Sequence, residues 1–242
     1  MVKNWLERTE LLIGADDLAT LKSKNVLVVG LGGVGSFAAE YLARVGIGRM
    51  TIVDGDTVDI TNVNRQLPAL QTTVGQSKAQ LMAERIRGIN PEIELVVIEE
   101  FLQPERMEEV VAQSGFDFAL DCIDSVTPKL NLILACQRHD VDIISSMGAG
   151  GKLDPLRIQV TDISKSHTDP FARQIRKQFK LKGMKPKNFT VVFSDEPNVE
   201  GSLRMTDNTN FKKSFYGTIS YIPALFGLQM AAYVIRKMID RL

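Results

Sequence analysis

The sequence predicts an α/β fold: a doubly wound, mainly parallel sheet with an elaborated C-terminal half and a C-terminal apolar helix. Three observations predict it. Strand-like and helix-like segments alternate from residue 25 to residue 147, the pattern that covers a parallel sheet with helices. Val26 to Val29 is an apolar β-branched run, suited to a strand buried on both faces. Four glycines, Gly30, Gly32, Gly33 and Gly35, mark a tight turn from that strand into a helix.

In chain order, strands are expected at 25–30, 49–54, 92–100, 116–121 and 142–147, and helices near 35–45, 76–89, 104–113 and 127–139. Val110 and Val111 on the charged third helix, and Leu130, Leu132, Ile133 and Leu134 on the fourth, read as core faces. After Gly151 the pattern changes. Strands at 156–162 and 189–194 flank a basic helix at 170–181. A polar stretch from Asp195 to Asn210 is too long for an ordinary connection and reads as a mobile lid or crossover. The apolar segment Ile219–Ile235 covers 17 positions and includes Ser220, Pro223, Gly227 and Gln229. A membrane span needs ~20 mostly apolar residues, so a buried helix is the better reading and membrane association is not favoured. No linker divides the chain. One unit over 1–242 is expected, with a nucleotide-binding half at 1–151 and a dependent substrate-facing half at 152–242.

The glycine turn carries the chemistry. Glycine permits the tight turn and a close backbone approach to a ligand. The first N–H groups of the following helix have no intrahelical partner, and the helix dipole favours an anion there. A phosphate is the natural occupant. The second strand ends at Asp54, 19 residues after Gly35, where a carboxylate can accept both hydroxyls of a ribose. These are the marks of a Rossmann-like nucleotide site. Asp56 and the cluster Asn62, Asn64 and Arg65 follow. A nicotinamide oxidoreductase would use Asp54 but gives Asn62, Arg65 and Lys78 no role. ATP gives them one, because attack at its α-phosphorus needs cations to spread the developing charge. Taken singly, Arg8, Arg65 and Lys78 also read as solvated charges, the better reading for Arg8 and an even one for Lys78, and Asp124 as a cap for a helix starting near Thr127 or Pro128. A nucleotide-sensing module without turnover is a further alternative.

The elements GLGGVGS (30–36), VDGDTVDITNVNRQ (53–66), VGQSKA (74–79) and DCIDSVTPK (121–129) occur in this order. Together they resemble the ThiF/MoeB/HesA superfamily, bacterial relatives of ubiquitin-activating enzymes that adenylate a carboxylate with ATP. The segment MGAGGKLDPLRIQVTDISKSHTDPFARQIRK (147–177) is similar to the branch of tRNA threonylcarbamoyladenosine dehydratases. The resemblance implies an ATP site formed by Gly30, Gly32, Gly33 and Gly35, with Asp54 on the ribose. Asn62 and Arg65 would contact the phosphates, with Gln66 nearby and Asp56 in the same motif. Lys78 would be a second cation on the triphosphate, and Asp124 a Mg²⁺-associated carboxylate. Arg8, in ERTELLIG, matches an arginine that these dimers insert into the partner's ATP site, which implies a homodimer. ATP and Mg²⁺ are the implied cofactors, with room for a monovalent cation (Na⁺ or K⁺) near the second half. The implied reaction is dehydration of threonylcarbamoyladenosine in tRNA, a cyclisation through an acyl-adenylate. The alternative is adenylation of the C-terminus of a ubiquitin-like sulfur-carrier protein.

Several features bear on that choice. Cys122 and Cys136 are the only cysteines. Four thiolates at zinc spacing are therefore impossible, and no zinc is expected. With no cysteine after Cys136, thioester and persulfide chemistry are disfavoured, although cysteine-desulfurase or sulfur-acceptor partners stay open. His139 and His167 stand too far apart from other ligands to suggest a metal. From Ser164 to Lys187 there are eight basic residues, Lys165, Arg173, Arg176, Lys177, Lys180, Lys182, Lys185 and Lys187, against the single acid Asp169. Such a run reads either as a solvated face or as a contact to an RNA backbone. The resemblance favours tRNA contact through Lys165, Arg173, Arg176, Lys177 and Lys180. Phe179 and Phe189 read as core, with base stacking as the alternative. Net charge is zero, so global charge argues for no partner. Met1 to Thr9 is polar with no apolar run behind it, and two cysteines suit a reducing compartment. A cytoplasmic protein is expected.

Overall fold

A computed structural model describes residues 4–113, 115–183, 189–205 and 214–242. Helices α1 (Glu7–Ile13) and α2 (Ala15–Ser23), which the sequence pattern did not announce, precede β1 (Asn25–Val29). Then come α3 (Gly35–Val45), β2 (Arg49–Val53), α4 (Lys78–Ile89), β3 (Glu94–Ile98), α5 (Pro104–Gln113), β4 (Phe118–Asp121), α6 (Val126–Arg138) and β5 (Asp142–Ser146). The second half adds β6 (Ile158–Asp162), α7 (Pro170–Leu181), β7 (Thr190–Ser194), β8 (Leu203–Met205), β9 (Ser214–Tyr216) and α8 (Tyr221–Met238).

Seven strands form one sheet in the order β3-β2-β1-β4-β5-β7-β6. All neighbours are parallel except β6, which runs antiparallel to β7. The doubly wound, mainly parallel α/β expectation is therefore met. Every residue of β1 is buried. Val26 and Val28 face a core shared with α3, α4 and α8, while Leu27 and Val29 face a core shared with α5, α6 and α7. A strand's period of two thus delivers apolar side chains to both faces, as a covered parallel sheet requires. Strand order reverses between β1 and β4, the switch point where open α/β sheets bind ligands at the carboxyl ends of their strands.

The C-terminal apolar segment forms α8 and buries Ile222, Phe226, Met230 and Val234. It lies against the start of α3. A Cβ added at Gly227 would come 2.3 Å from the Val34 carbonyl oxygen, so only glycine permits this approach. Among the described residues no helix is long and apolar enough to cross a membrane.

The expected lid or crossover at Asp195–Asn210 is corrected over its described part. Residues 203–205 form β8, which pairs antiparallel with β9. The loop before it is tied down. The Glu196 carboxylate accepts from Leu153 N and Asp154 N, and Val199 N donates to Gly151 O. The backbone donors that follow the Gly148–Gly151 turn find an acceptor in Glu196, and the Gly151 carbonyl takes the Val199 N–H, which is why a polar stretch is held in place. Residues 206–210 of that expectation lie outside the described residues, as do Lys185 and Lys187 of the basic run.

Candidate functional site

Three strand ends converge at the switch point. From β1 comes the glycine turn. Gly30 adopts φ +90°, a left-handed conformation natural to glycine. A Cβ at Gly35, the first residue of α3, would lie 1.7 Å from Gly30 O, and one at Gly30 would lie 2.9 Å from Cys122 O. The turn is therefore packed backbone on backbone, with the N-terminal N–H groups of α3 above it.

From β2 comes Asp54. Its Oδ2 accepts the Leu31 N–H at 2.6 Å and its Oδ1 the Asp56 N–H at 2.8 Å. Burial pushes this carboxyl above the usual aspartate value; Lys78 and the two N–H bonds pull it back. Asp56, whose part was least defined by the sequence, receives the buried Lys78 ammonium at 3.0 Å on Oδ2. Lys78 opens α4 behind its N-cap Ser77. A lysine at a helix N-terminus is locally unfavourable, so the Asp56 bond supplies what the helix does not.

Next the chain forms a short 3-10 turn, Ile60–Asn62, capped by Asp59. Asn62 is buried, and its Oδ1 accepts the Asp59 N–H at 3.1 Å. Both Arg65 N and Gln66 N donate to Asn62 O. That fold-back sets Arg65 and Gln66 over the glycine turn: a Cβ on Gly33 would lie 3.5 Å from Arg65 Cγ, and one on Gly32 would lie 3.6 Å from Gln66 Nε2. The Gln66 Oε1 is buried without a hydrogen-bond partner among the described residues. Arg65 donates through Nη1 to Thr61 O and Asn64 Oδ1, both at 2.9 Å. Burial lowers its pKa, with Asp124 and Asp59 opposing electrostatically.

From β4 comes the Cys122–Ser125 loop carrying Asp124. The helix behind it starts at Val126 with Ser125 in the N-cap position, so the reading of Asp124 as a cap near Thr127 is corrected. Asp124 lies close enough to Arg65 for its charge to oppose the lowering of the Arg65 pKa by burial. The crevice thus brings together Gly30, Gly32, Gly33, Gly35, Asp54, Asp56, Asn62, Arg65, Gln66, Lys78 and Asp124. A close-packed glycine turn, an orphaned amide oxygen and a guanidinium beside helix N–H groups suit a nucleotide phosphate. Among the described residues no group of three or more His, Cys, Asp or Glu could hold a metal by itself. Mg²⁺ usually takes one or two carboxylates plus substrate phosphates, which Asp124 could provide.

Arg8 is not brought into this crevice. It is exposed on α1. Just before it, Leu6 packs against Gly46, the residue that ends α3, and Trp5 lines a cleft with Gly48 and Arg49. At ~1.5 Å per residue the 11-residue α3 separates that end from the glycine turn by ~16 Å.

On the second half, Arg173, Lys177 and Lys180 share an exposed face of α7, while Ala172, Ile175 and Phe179 share its buried face. Lys165 is exposed; Arg176 is half-buried and bonds to Ser166 Oγ. The base-stacking alternative for Phe179 and Phe189 is corrected: both are buried, their ring centroids 6.2 Å apart. His167 stacks edge-on against Phe193, and His139 pairs with Glu108 at 2.7 Å. Burial raises the thiol of Cys122, and pushes that of Cys136 up to about 12. Neither is a ready thiolate.

The sequence reading passed over Lys129 and Asp121, a fully buried ion pair behind the Asp124 loop. A signal existed. Lys129 is in register with Leu132, Ile133 and Cys136 at helical spacing on the buried face of α6, where a lone lysine demands a partner.

The sequence matches the ThiF family over residues 6–241. It is 44% identical over 239 residues to a tRNA threonylcarbamoyladenosine dehydratase of Bacillus subtilis (strain 168), covering 96% of this chain and 93% of that one. A crystal structure of E. coli tRNA N6-threonylcarbamoyladenosine dehydratase in complex with ATP superimposes with a TM-score of 0.88 at 37% identity, covering 100% of this chain and 98% of that chain. Likeness to a molybdopterin-synthase adenylyltransferase of Salmonella typhimurium (strain LT2) is 35% over 159 residues, 66% of this chain and 61% of that protein.

Proposed function

This chain belongs to the ThiF family, and from that premise we propose that it is an ATP-dependent tRNA dehydratase, cyclising threonylcarbamoyladenosine through an acyl-adenylate. The observation that carries the reading is the convergence of the glycine turn, Asp54 and Arg65 at one switch point. Near-full-length likeness to dehydratases, against partial likeness to a molybdopterin-synthase adenylyltransferase, favours this substrate class.

In this mechanism the glycine turn and the α3 N–H groups hold phosphate, and Asp54 accepts from the ribose hydroxyls. The threonyl carboxylate attacks the α-phosphorus, forming the acyl–phosphate bond while pyrophosphate departs. Arg65 and Lys78 neutralise charge that grows on the phosphoryl oxygens. Mg²⁺ on Asp124 would supply further charge neutralisation. The carbamoyl group then closes on the activated carbonyl and AMP leaves, so the net loss is one water. No enzyme nucleophile is needed, which agrees with two poorly ionising cysteines. Arg8 completes the site of a second subunit in a homodimer; the exposed Leu11 and Leu12 beside it on α1 support that role. The Arg173–Lys177–Lys180 face and Lys165 contact the tRNA backbone, in the cytoplasm. Such contacts position an RNA without reading its sequence.

The test is mass spectrometry of tRNA nucleosides after incubation with ATP. The modified adenosine is expected to lose the mass of one water. ATP–pyrophosphate exchange driven by the C-terminus of a small sulfur-carrier protein, and not by modified tRNA, would support the adenylyltransferase reading instead.

The Asp54 environment also sets a pH dependence. Its carboxyl is raised in the folded protein, so on acidification it protonates before an ordinary aspartate at ~3.9 does. Only the carboxylate accepts two ribose hydroxyls fully. Affinity for adenosine, which has no titrating phosphate, is therefore expected to fall as pH drops toward that raised value. Isothermal titration should show this decline in the wild type and none in Asp54→Asn. Parallel curves for the two proteins would remove Asp54 from the ribose.

A further inference from the structure

The most deeply buried charges lie behind the crevice, not in it. The side chains of Lys129 and Asp121 have no solvent exposure. Lys129 Nζ donates to Asp121 Oδ2 at 2.7 Å, to Ser145 Oγ at 2.9 Å and to Ser146 O at 2.9 Å. All three ammonium protons are thereby used. The same Nζ stands 5.6 Å from the centroid of the Phe171 ring, within cation–π range.

These four partners belong to three segments. Asp121 ends β4, Ser145 and Ser146 end β5, and Phe171 lies in the first turn of α7. Each segment continues to the crevice side of the sheet. The second oxygen of Asp121 accepts the Ile123 N–H at 3.1 Å, one residue before Asp124. Ser146 leads through Met147 to Gly148, whose N–H bonds Asp169 Oδ2 at 3.1 Å, and Asp169 caps α7 through Ala172 N at 2.7 Å. Burial raises the Asp121 carboxyl while Lys129 and Ser145 oppose the rise.

A buried ion pair is a weak source of net stability, because apolar residues of like volume often do as well. What an apolar residue cannot do is hold three backbone segments by directed bonds. We propose that Lys129 is a positioning residue for adenylate formation, fixing the Cys122–Ser125 loop against the Met147–Gly151 turn so that Asp124 keeps one geometry toward Arg65 and the reacting phosphorus. This rests on the adenylating reading above. Lys129 bonds Asp121, Ser145 and Ser146 and makes none to the glycine turn, Asp54 or Lys78, so ATP binding is expected to depend on it less than turnover does.

The experiment compares Lys129→Met with the double variant Asp121→Asn/Lys129→Met in ATP–pyrophosphate exchange driven by threonylcarbamoyladenosine-bearing tRNA, with melting temperature followed in parallel. The single variant strands a buried carboxylate and melts lower; the double removes both charges and regains most of that loss. Both are expected to lose ~100-fold in kcat, the scale of a misplaced reacting group, with KM for ATP changed less than about threefold. Ser145→Ala, which removes one arm and no charge, covers the case in which the double does not fold. Its kcat should drop about fivefold, a change of ~1 kcal/mol in barrier, with little change in melting. Recovery of wild-type kcat together with stability in the double, or unchanged kcat in Ser145→Ala, overturns the proposal. The wild-type arm reports separately on the underlying reading, and faster amide exchange of residues 122–125 in the variants tests the clamp without any substrate.

Discussion

Gly35→Ala is expected to abolish nucleotide binding and to destabilise the protein by about 3 kcal/mol. The added methyl would sit 1.7 Å from Gly30 O and 3.0 Å from Cys122 Cβ. Neither neighbour is a flexible side-chain end that could swing aside. To relieve the overlap, the first turn of α3 must lift away from the end of β1, and its N–H groups then no longer point into one space. Gly88→Ala is the matched control, since nothing lies within 4 Å of a Cβ there and the site is inside α4. Replacing a glycine in the last turn of a helix should be neutral or stabilising by less than ~1 kcal/mol. ATP titration and thermal melting of the two variants check this pair of expectations. Wild-type ATP affinity in Gly35→Ala would mean that phosphate is held elsewhere.

Arg65→Ala is expected to lower kcat of adenylation by ~100- to 1,000-fold, the range found for removing one preorganised charge donor. The guanidinium is already partly buried and already fixed by Thr61 O and Asn64 Oδ1. Little reorganisation remains for the moment when charge builds on phosphorus. If the contact is made mainly in the transition state, kcat and kcat/KM fall together; a rise in KM alone would mark a ground-state contact. Arg65→Lys should recover only a small part, because an ammonium lacks the planar fork that bonds Thr61, Asn64 and phosphate at once. Steady-state exchange kinetics on the three proteins decide the matter. Unchanged turnover in Arg65→Ala would remove this residue from the chemistry.

Much of the crevice was legible because its parts are local. A glycine turn after a β-branched run, and an aspartate one strand later, follow from backbone geometry over short spans. The structure places Asp54 and Arg65 where those spans implied. Arg65 sits on a turn that Asn62 organises from three residues away. Asp56 was harder to read. Its partner Lys78 belongs to a different element, and no spacing rule links a loop carboxylate to a lysine opening the next helix. The tie of Leu153 N and Asp154 N to Glu196 escaped for the same reason, and a tethered loop was read as a lid or crossover. Arg8 lies outside the crevice of its own chain, on a helix that packs at the far end of α3.

From the sequence alone came the strands buried on both faces, the phosphate-shaped turn and the order of motifs that places this chain in its family. Each is a statement about periodicity, turn chemistry or residue type over a few neighbours, and the chain carries that information locally. Only the tertiary structure decided that β4 lies beside β1 and brings the Cys122–Ser125 loop against the glycine turn, and that Lys129 finds Asp121 and β5 in the dry interior. Which parallel strands become neighbours is settled by how all the crossovers and both cores pack together. The charges that meet at the crevice inherit their distances from that global choice.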